Sequence, residues 1–404
     1  LSVKSNVTSD FLIIGAGVLG VTVALVLKEK FPDQKIIILE KELHAGFHAS
    51  GRNSGVLHAG FYYTSDSLKA RFCKEGNRAM KDYCKENRLP LNENGKLVVT
   101  KNEVELTGLK TLYERGIQNQ VSLKLINEKE AKEIEPRVRT IQQAIFSPDT
   151  ASVDPKLIMQ SLVQKAMEQG VCFYFNERYI SVKKNIICTS RRKINAGFVV
   201  NASGLYADKI AKEFGFGKEY EVVPFKGLYL YSQEKVGDLK THIYPVPDLQ
   251  YPFLGVHFTV TVDGKIKIGP TAIPAFWREQ YSGLQRFSTS EFFSIVQREA
   301  KLFIKNKFHF RQVAIHELKK YQKSFLSNEA AYMLENFNAA HYKTWGKPGI
   351  RAQLVNTKTN TLVTDFCYEG DKNSFHILNA VSPAFTCAFP LAEFFVMRIA
   401  NTQI

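Results

Sequence analysis

The sequence predicts a mixed fold, α/β plus α+β: a Rossmann-like nucleotide-binding part on a parallel sheet, joined to a part with a sheet of its own. Three observations predict it. DFLIIGAGVLGVTVALVLKEKFPDQKIIILEKE, Asp10 to Glu42, reads as strand, glycine turn, helix, strand and acidic end. AGFVVNASGLYAD, Ala196 to Asp208, is a second apolar strand that ends in a turn of small residues. Tyr220 to Thr271 is rich in β-branched and aromatic residues, broken by Pro and Gly, as a separate sheet would be.

Each element of the first motif has a physical reason. Phe11 to Ile14 read as a buried parallel strand. Gly15 permits the tight turn, Gly17 lets backbone approach a pyrophosphate, and Gly20 lets the following helix pack close to the strand. That helix, Val21 to Lys30, offers unpaired N–H groups and a positive dipole end to phosphates. Lys35 to Leu39 form the second strand, with Glu40 at its end for ribose hydroxyls and Lys41 beside it. Phe11 to Leu27 holds no charge and could pass for a short membrane span. The three spaced glycines instead indicate a strand and a helix.

The next stretch decides which dinucleotide is expected. A plain NAD enzyme would continue into another strand–helix unit. This chain runs into GFHASGRNSGVLHAGFYY, Gly46 to Tyr63. Its flexible backbone, with Gly51, Arg52, Asn53 and Ser54, suits a larger cofactor portion such as an isoalloxazine ring. Ala202 and Gly204, in the turn after the second strand, resemble the element with which two-part FAD domains close over the cofactor. FAD is therefore the expected cofactor.

Further along, Pro90 closes a helical stretch and GKLVVT follows as a strand. Asp154 to Gly170 reads as a helix, with Asp at the cap, Pro at its first position and Gly at its end. Phe292 to Phe337 reads as mostly helical.

Bulk properties narrow the function. The 404 residues are 45% hydrophobic and 23% charged, which suits a globular chain of two or more domains and excludes a disordered one. The net charge of +15 favours anionic partners. Nucleic acid is not expected, because the basic residues are spread along the chain without a binding motif. The six cysteines are scattered, with no CxxC pair and no nearby His. They suggest reduced, mostly buried thiols in an intracellular protein and no metal site. The chain opens on Leu, which admits a processed or truncated start, and Leu1 to Ser9 carries too little charge to read as a transit peptide.

With these segments in view, the sequence resembles the D-amino-acid oxidase/glycerol-3-phosphate dehydrogenase superfamily of FAD enzymes. Within it, the sequence resembles the L-2-hydroxyglutarate dehydrogenase/oxidase family over nearly its whole length. The segments that carry the likeness are Asn53 to Cys73, GKLVV at Gly95 to Val99, and VVNASGLYAD at Val199 to Asp208. Further on they are YPVPDLQYPFLGVHFT at Tyr244 to Thr259, KIGPTA at Lys267 to Ala272, GIRAQL at Gly349 to Leu354, and HILNAVSPAFT at His376 to Thr386.

The resemblance implies an FAD domain of the glutathione-reductase type, residues 1–89, 140–222 and 347–404. It implies a substrate domain on a mostly antiparallel sheet, inserted as residues 90–139 and 223–346. It implies oxidation of a small anionic 2-hydroxy acid to the 2-oxo acid, with quinone or another electron acceptor. It implies a cytoplasmic protein with peripheral inner-membrane contact, mitochondrial in a eukaryote.

The chemistry needs a base for the hydroxyl proton and cations for the carboxylates. His58, which follows the glycine-rich turn, is the first choice of base, and His257 in GVHFT is the second. Strand alternation puts Val256 and Phe258 on the face opposite His257. Arg351 resembles the Gly-x-Arg carboxylate clamp of related amino-acid oxidases, and its fork suits two parallel hydrogen bonds. Lys226 is a candidate for the second carboxylate, and Tyr62, Tyr63 and Tyr251 are candidate hydroxyl donors. Ser382, Pro383 and Ala384 are expected to start a helix whose dipole meets the flavin.

The chain also departs from the family pattern. Arg52 stands where the family usually has His, so non-covalent FAD is expected. Lys226 replaces Arg and Leu228 replaces Glu; Thr271, Val381 and Phe385 are further differences. They leave two rivals open, the same fold acting on another CH–OH or CH–NH substrate and a non-catalytic FAD-containing assembly factor. Arg298 to Phe325 holds eight Lys/Arg and two Glu interleaved with Phe303, Phe308, Phe310 and Phe325, a pattern that suits an anionic membrane surface.

Overall fold

In the computed structural model, which describes residues 4–247 and 255–403, the chain forms two compact units. The first is Leu1–Arg52, Pro155–Val223 and Ala352–Ile404; the second is Asn53–Asp154 and Pro224–Arg351. The chain passes between them within the strands Tyr220–Gly227 and Gly349–Asn356. The cofactor-based division expected from the sequence is a different partition, because it assigns 53–89, 140–154 and 347–351 to the FAD domain.

In the first unit, Lys4–Ile14 lies between two parallel neighbours, Ile36–Leu39 and Arg192–Asn201. Cys172–Tyr174 and Ser374–Asn379 extend the parallel core on either side. Phe11 to Ile14 and all of Ile36–Leu39 are buried, as strands covered on both faces must be. The Val18–Lys30 helix follows the glycine turn directly and is buried from Val18 to Leu25 and at Leu27. The apolar run from Phe11 to Leu27 is thus a strand and a helix. Among the described residues no helix is long and apolar enough to cross a membrane.

The second unit is built on an eight-stranded sheet. Its order is 342–345, 230–232, 266–269, 257–260, 242–245, 96–99, 143–147 and 124–127. The pairing of 96–99 with 242–245 is parallel, and the paired neighbours on either side run antiparallel. Its two faces differ. Leu97, Val99, Ile243, Phe258, Val260, Ile266 and Ile268 point into one apolar core with Val256, as alternation required for Val256 and Phe258. The opposite face carries the residues between them.

Two expectations are corrected. The C-terminal helix spans Ala388–Gln403, not a segment from Pro383. Residues 382–387 form turns, in which Pro383 O accepts from Cys387 N and Val381 O from Ala384 N. Pro383 would itself be acceptable at a first helical position, so the later start is set by the turns of 382–387 and not by the proline. The cysteines are less buried than expected: Cys73, Cys84 and Cys387 are buried, Cys188 and Cys367 are half-buried, and Cys172 is exposed. Cys172 lies on a short strand at the end of its sheet, where one face meets water.

Candidate functional site

The nucleotide cradle lies in the first unit and is made of backbone. Gly15 has φ +108°, and a Cβ there would come within 2.6 Å of Ala202 O. A Cβ on Gly20 would run into the Gly15 carbonyl, and one on Gly17 would sit 3.2 Å from Ser50 Oγ. The three glycines therefore hold the turn, the second strand-turn at Ala202 and the helix start in one tight stack. No acidic residue occupies the first helical turn, and the Gly17 side has no side-chain cap of its own. Val18 N donates to Ser50 Oγ at 2.9 Å.

Glu40 is buried, and its two oxygens accept from Ala16 N (2.8 Å) and Glu42 N (2.9 Å). These bonds fix the carboxylate at the strand end, and each oxygen keeps a lone pair for a hydroxyl. Asn201 shapes the second turn: its Oδ1 accepts from Ser203 Oγ at 2.6 Å and its amide donates to Ala207 O at 2.8 Å. Gly204 sits there at φ +55°. Lys41 pairs with Glu42 at 2.7 Å and lies over the Tyr206 ring. Arg52 Nε donates to Phe47 O at 2.8 Å, and its guanidinium stacks on the Phe47 ring. Gly51 closes against the Gly46 carbonyl. A dinucleotide fits this cradle: it needs close backbone approach, helical N–H groups and a fixed carboxylate, and all three are present.

The second unit carries a cluster of side chains on the polar face of its large sheet. Lys96 and His242 stand side by side in register, Tyr244 follows two residues on, and His257 and Lys267 come from the next two strands. All five are buried. Their order follows from a period-2 pattern in which each polar residue alternates with a core residue.

The two histidines on this face differ in tautomer. His242 Nδ1 accepts from Val260 N at 3.1 Å, so its proton is on Nε2, which donates to Ser152 Oγ at 3.3 Å. Both nitrogens are engaged in holding strands. His257 Nδ1 faces Gly255 O at 2.8 Å and must donate to it. Its Nε2 then carries a lone pair. The ring stacks on Tyr244 at 3.7 Å and 15°. Burial, with the Lys96, His58 and Lys267 charges, holds the His257 imidazolium well below its usual range, so the ring is neutral.

His58 lies just beyond the short strand Val56–Leu57, and its carbonyl accepts from Cys73 Sγ and Asn77 Nδ2. Burial first, then the Lys96 charge, pushes its imidazole down to about 3. Tyr62 stacks on Phe61, and its hydroxyl is buried with no hydrogen-bond partner among the described residues. Burial pushes that phenol up. Lys267 Nζ donates to Ser54 O at 3.0 Å and sits 4.4 Å from the Tyr229 ring centroid; burial lowers it to about 8.

Arg351 is half-buried, and burial lowers its guanidinium from the usual range, against the smaller opposing effect of Tyr229, Glu317 and Tyr63. Tyr63 also lies under Lys69. Lys226 is buried in a different sheet, opposite Ile273, and burial lowers its ammonium. Thr271, one of the departures, has a structural reason: its hydroxyl donates to Lys226 O and accepts from Leu228 N. Asn53 and Ser54 fall in the second unit, where Asn53 Oδ1 accepts from Gly55 N. Tyr251 lies outside the described residues.

The structure thus brings His58, His257 and Tyr62 together around Lys96. Sequence reasoning missed Lys96, His242, Tyr244 and Lys267. The signal was partial: THIYP sets His242 and Tyr244 two places apart around Ile243, whereas GKLVV and KIGPTA each show only a lysine at the start of an apolar run.

A glycine cradle for a dinucleotide and a cationic, imidazole-bearing sheet define a flavin-dependent oxidoreductase. The chain belongs to the DAO family of FAD dependent oxidoreductases, which it matches over residues 10–396. It is 32% identical over 401 residues to the L-2-hydroxyglutarate dehydrogenase of Escherichia coli strain K12, covering 96% of this chain and 93% of that protein. It is 34% identical over 405 residues to the mitochondrial L-2-hydroxyglutarate dehydrogenase of Mus musculus, covering 94% and 86%. Its fold is that of the FAD-bound L-alpha-glycerophosphate oxidase from Mycoplasma pneumoniae, with a TM-score of 0.76 at 21% identity over 97% of this chain and 95% of that one.

Proposed function

We propose that the protein oxidises L-2-hydroxyglutarate, or a close 2-hydroxy diacid, to the 2-oxo acid. The observation that carries this reading is the polar sheet face itself. It gathers two ammonium groups and two imidazoles, and no carboxylate hydrogen-bonds to Lys96 or Lys267 among the described residues. Such a face suits a dianion and a proton acceptor together. FAD, when bound, supplies the acceptor for the hydride that leaves C2. His257 Nε2 is the base that takes the hydroxyl proton, since Gly255 fixes its tautomer; His58 is the alternative base. Arg351 holds one carboxylate through its fork, and Lys226 is the candidate for the other. Tyr62 and Tyr63 donate to substrate oxygens.

The residues that would hold FAD are Gly15, Gly17, Gly20, Glu40, Lys41, Gly51, Arg52, Ala202, Gly204 and the Ser382–Ala384 turn. Arg52 offers no nucleophile, so the flavin is expected to leave the protein on acid precipitation. The experiment for the reaction is an anaerobic visible spectrum before and after L-2-hydroxyglutarate. Bleaching of the flavin band supports the reading. A persistent band turns the search to other substrates or to an assembly role.

A second reading concerns the electron acceptor, and it rests on the 298–325 stretch. Both of its glutamates, Glu299 and Glu317, are buried, whereas Lys301, Lys305, Lys307, Arg311, Lys319 and Lys323 are exposed. Phe293 (67% exposed) and Ile304 (71%) lie on the helix Thr289–Lys305. The outward surface is therefore cationic and apolar, as peripheral contact with an anionic membrane and its quinone requires. Sedimentation with anionic liposomes at low salt and release at high salt is the expected result.

A further inference from the structure

Lys96 is the least expected residue of the second unit. It opens the strand Lys96–Val99 and is fully buried. Among the described residues its ammonium has no hydrogen-bond acceptor. It lies instead against three ring faces, 4.8 Å from the Phe61 centroid, 4.7 Å from Tyr62 and 4.6 Å from Tyr244. Cation–π attraction in a desolvated site offsets part of the cost of burying the charge, but not the missing hydrogen bonds. A lysine kept at such a cost needs a reason other than stability.

The cage gives one. The Tyr244 ring that faces the ammonium also stacks on His257, and Lys96 is in register with His242 on the neighbouring strand. His58 and Tyr62 come from the loop after Val56–Leu57, Cys73 from the helix Leu68–Glu86, and Lys267 from the strand beyond His257. Asp263 acts on Lys267 but is paired with Lys265. We propose that Lys96 is a positioning residue that takes up a proton ahead of the imidazoles beside it and so keeps His58 and His257 neutral and able to accept the substrate's. This rests on the proposed reaction, in which an imidazole is the base. Burial and electrostatics agree with the geometry: the ammonium is lowered to about 7, while both imidazoles, repelled by it, lie lower still. Between Lys96 and the two imidazoles, the proton therefore goes to Lys96; Lys267, lowered only to about 8, holds its own.

The test compares the FAD-loaded protein with Lys96→Met and Lys96→Arg. Imidazole titrations by nitrogen-15 histidine NMR, without substrate, read the cluster directly. The acid limb of the pH profile of kcat/KM reads it in turnover. Lys96→Met is expected to raise the titration of His58 or His257, and the acid limb with it, by about one pH unit or more. Lys96→Arg, which keeps the charge, should restore both. Unchanged titrations in Lys96→Met overturn the proposal. So does failure of Lys96→Met to fold, since an ammonium without an acceptor should tolerate an apolar replacement of similar length. If no hydroxy acid is turned over, the proposed reaction fails, and the NMR titration still decides the role of Lys96.

Discussion

The glycine turn of the first unit is built of backbone, whereas the polar sheet face of the second is built of side chains. The turn draws on residues within one short segment, closed by Ala202. The face draws on strands that begin at residues 96, 242, 257 and 266. At Gly15 and Gly20 the turn tolerates no added atom, because the neighbours are carbonyl groups that cannot move aside. The face depends on charge, and its members set one another's protonation through space. A contiguous backbone site is thus fragile to volume, and a dispersed side-chain site is fragile to charge.

The largest effect expected from this contrast is at Gly20. Gly20→Ala places a methyl against the Gly15 carbonyl, an overpacking that costs about 1–3 kcal/mol or more. The purified variant should lack the flavin band and melt earlier. A yellow, stable Gly20→Ala protein would break the comparison.

Next comes the base. His257→Asn should keep the flavin band while kcat falls by about 10²–10⁴-fold, the usual worth of general base catalysis. His58→Asn sharpens the result: the larger loss identifies the base. Loss of flavin from either variant would mean that the two sites are not separable.

Arg351→Met is expected to raise KM for a hydroxy acid by about ten- to a hundredfold, since a hydrogen bond to a charged group is worth about 1.5–3 kcal/mol. Steady-state kinetics with mono- and dicarboxylate substrates would show which carboxylate it holds.

A smaller effect concerns pH and stability. Lys96 is lowered by burial in the folded state to about 7, so the unfolded chain binds more protons above that pH. Stability should therefore rise with pH from about 7 towards the ordinary lysine range. Lys96→Met should flatten that rise and be the more stable protein at acid pH. His58 works in the same sense at lower pH: it is held at about 3, so stability should fall as pH drops from the ordinary imidazole range towards that value. Thermal melts across pH measure both.

The smallest effect is expected at the exposed helix. Phe293→Ser should change stability by less than about 0.5 kcal/mol, as surface substitutions usually do. It should still weaken liposome binding. Full binding by the variant would detach the exposed aromatics from the membrane reading.

The sequence by itself determined the nucleotide cradle, from Gly15, Gly17 and Gly20 through Glu40 to the Ala202 turn. Those roles follow from backbone geometry and short spacing, which a linear chain displays directly. It also determined the face on which His257 stands, because strand alternation is local. Only the tertiary structure decided that Lys96, Tyr62, Tyr244 and His257 share one buried cluster, that Glu299 and Glu317 turn inward, and that the last helix begins at Ala388 rather than Pro383. Register between distant strands and the burial of a charge depend on what packs opposite, and no neighbouring residue in the chain records it.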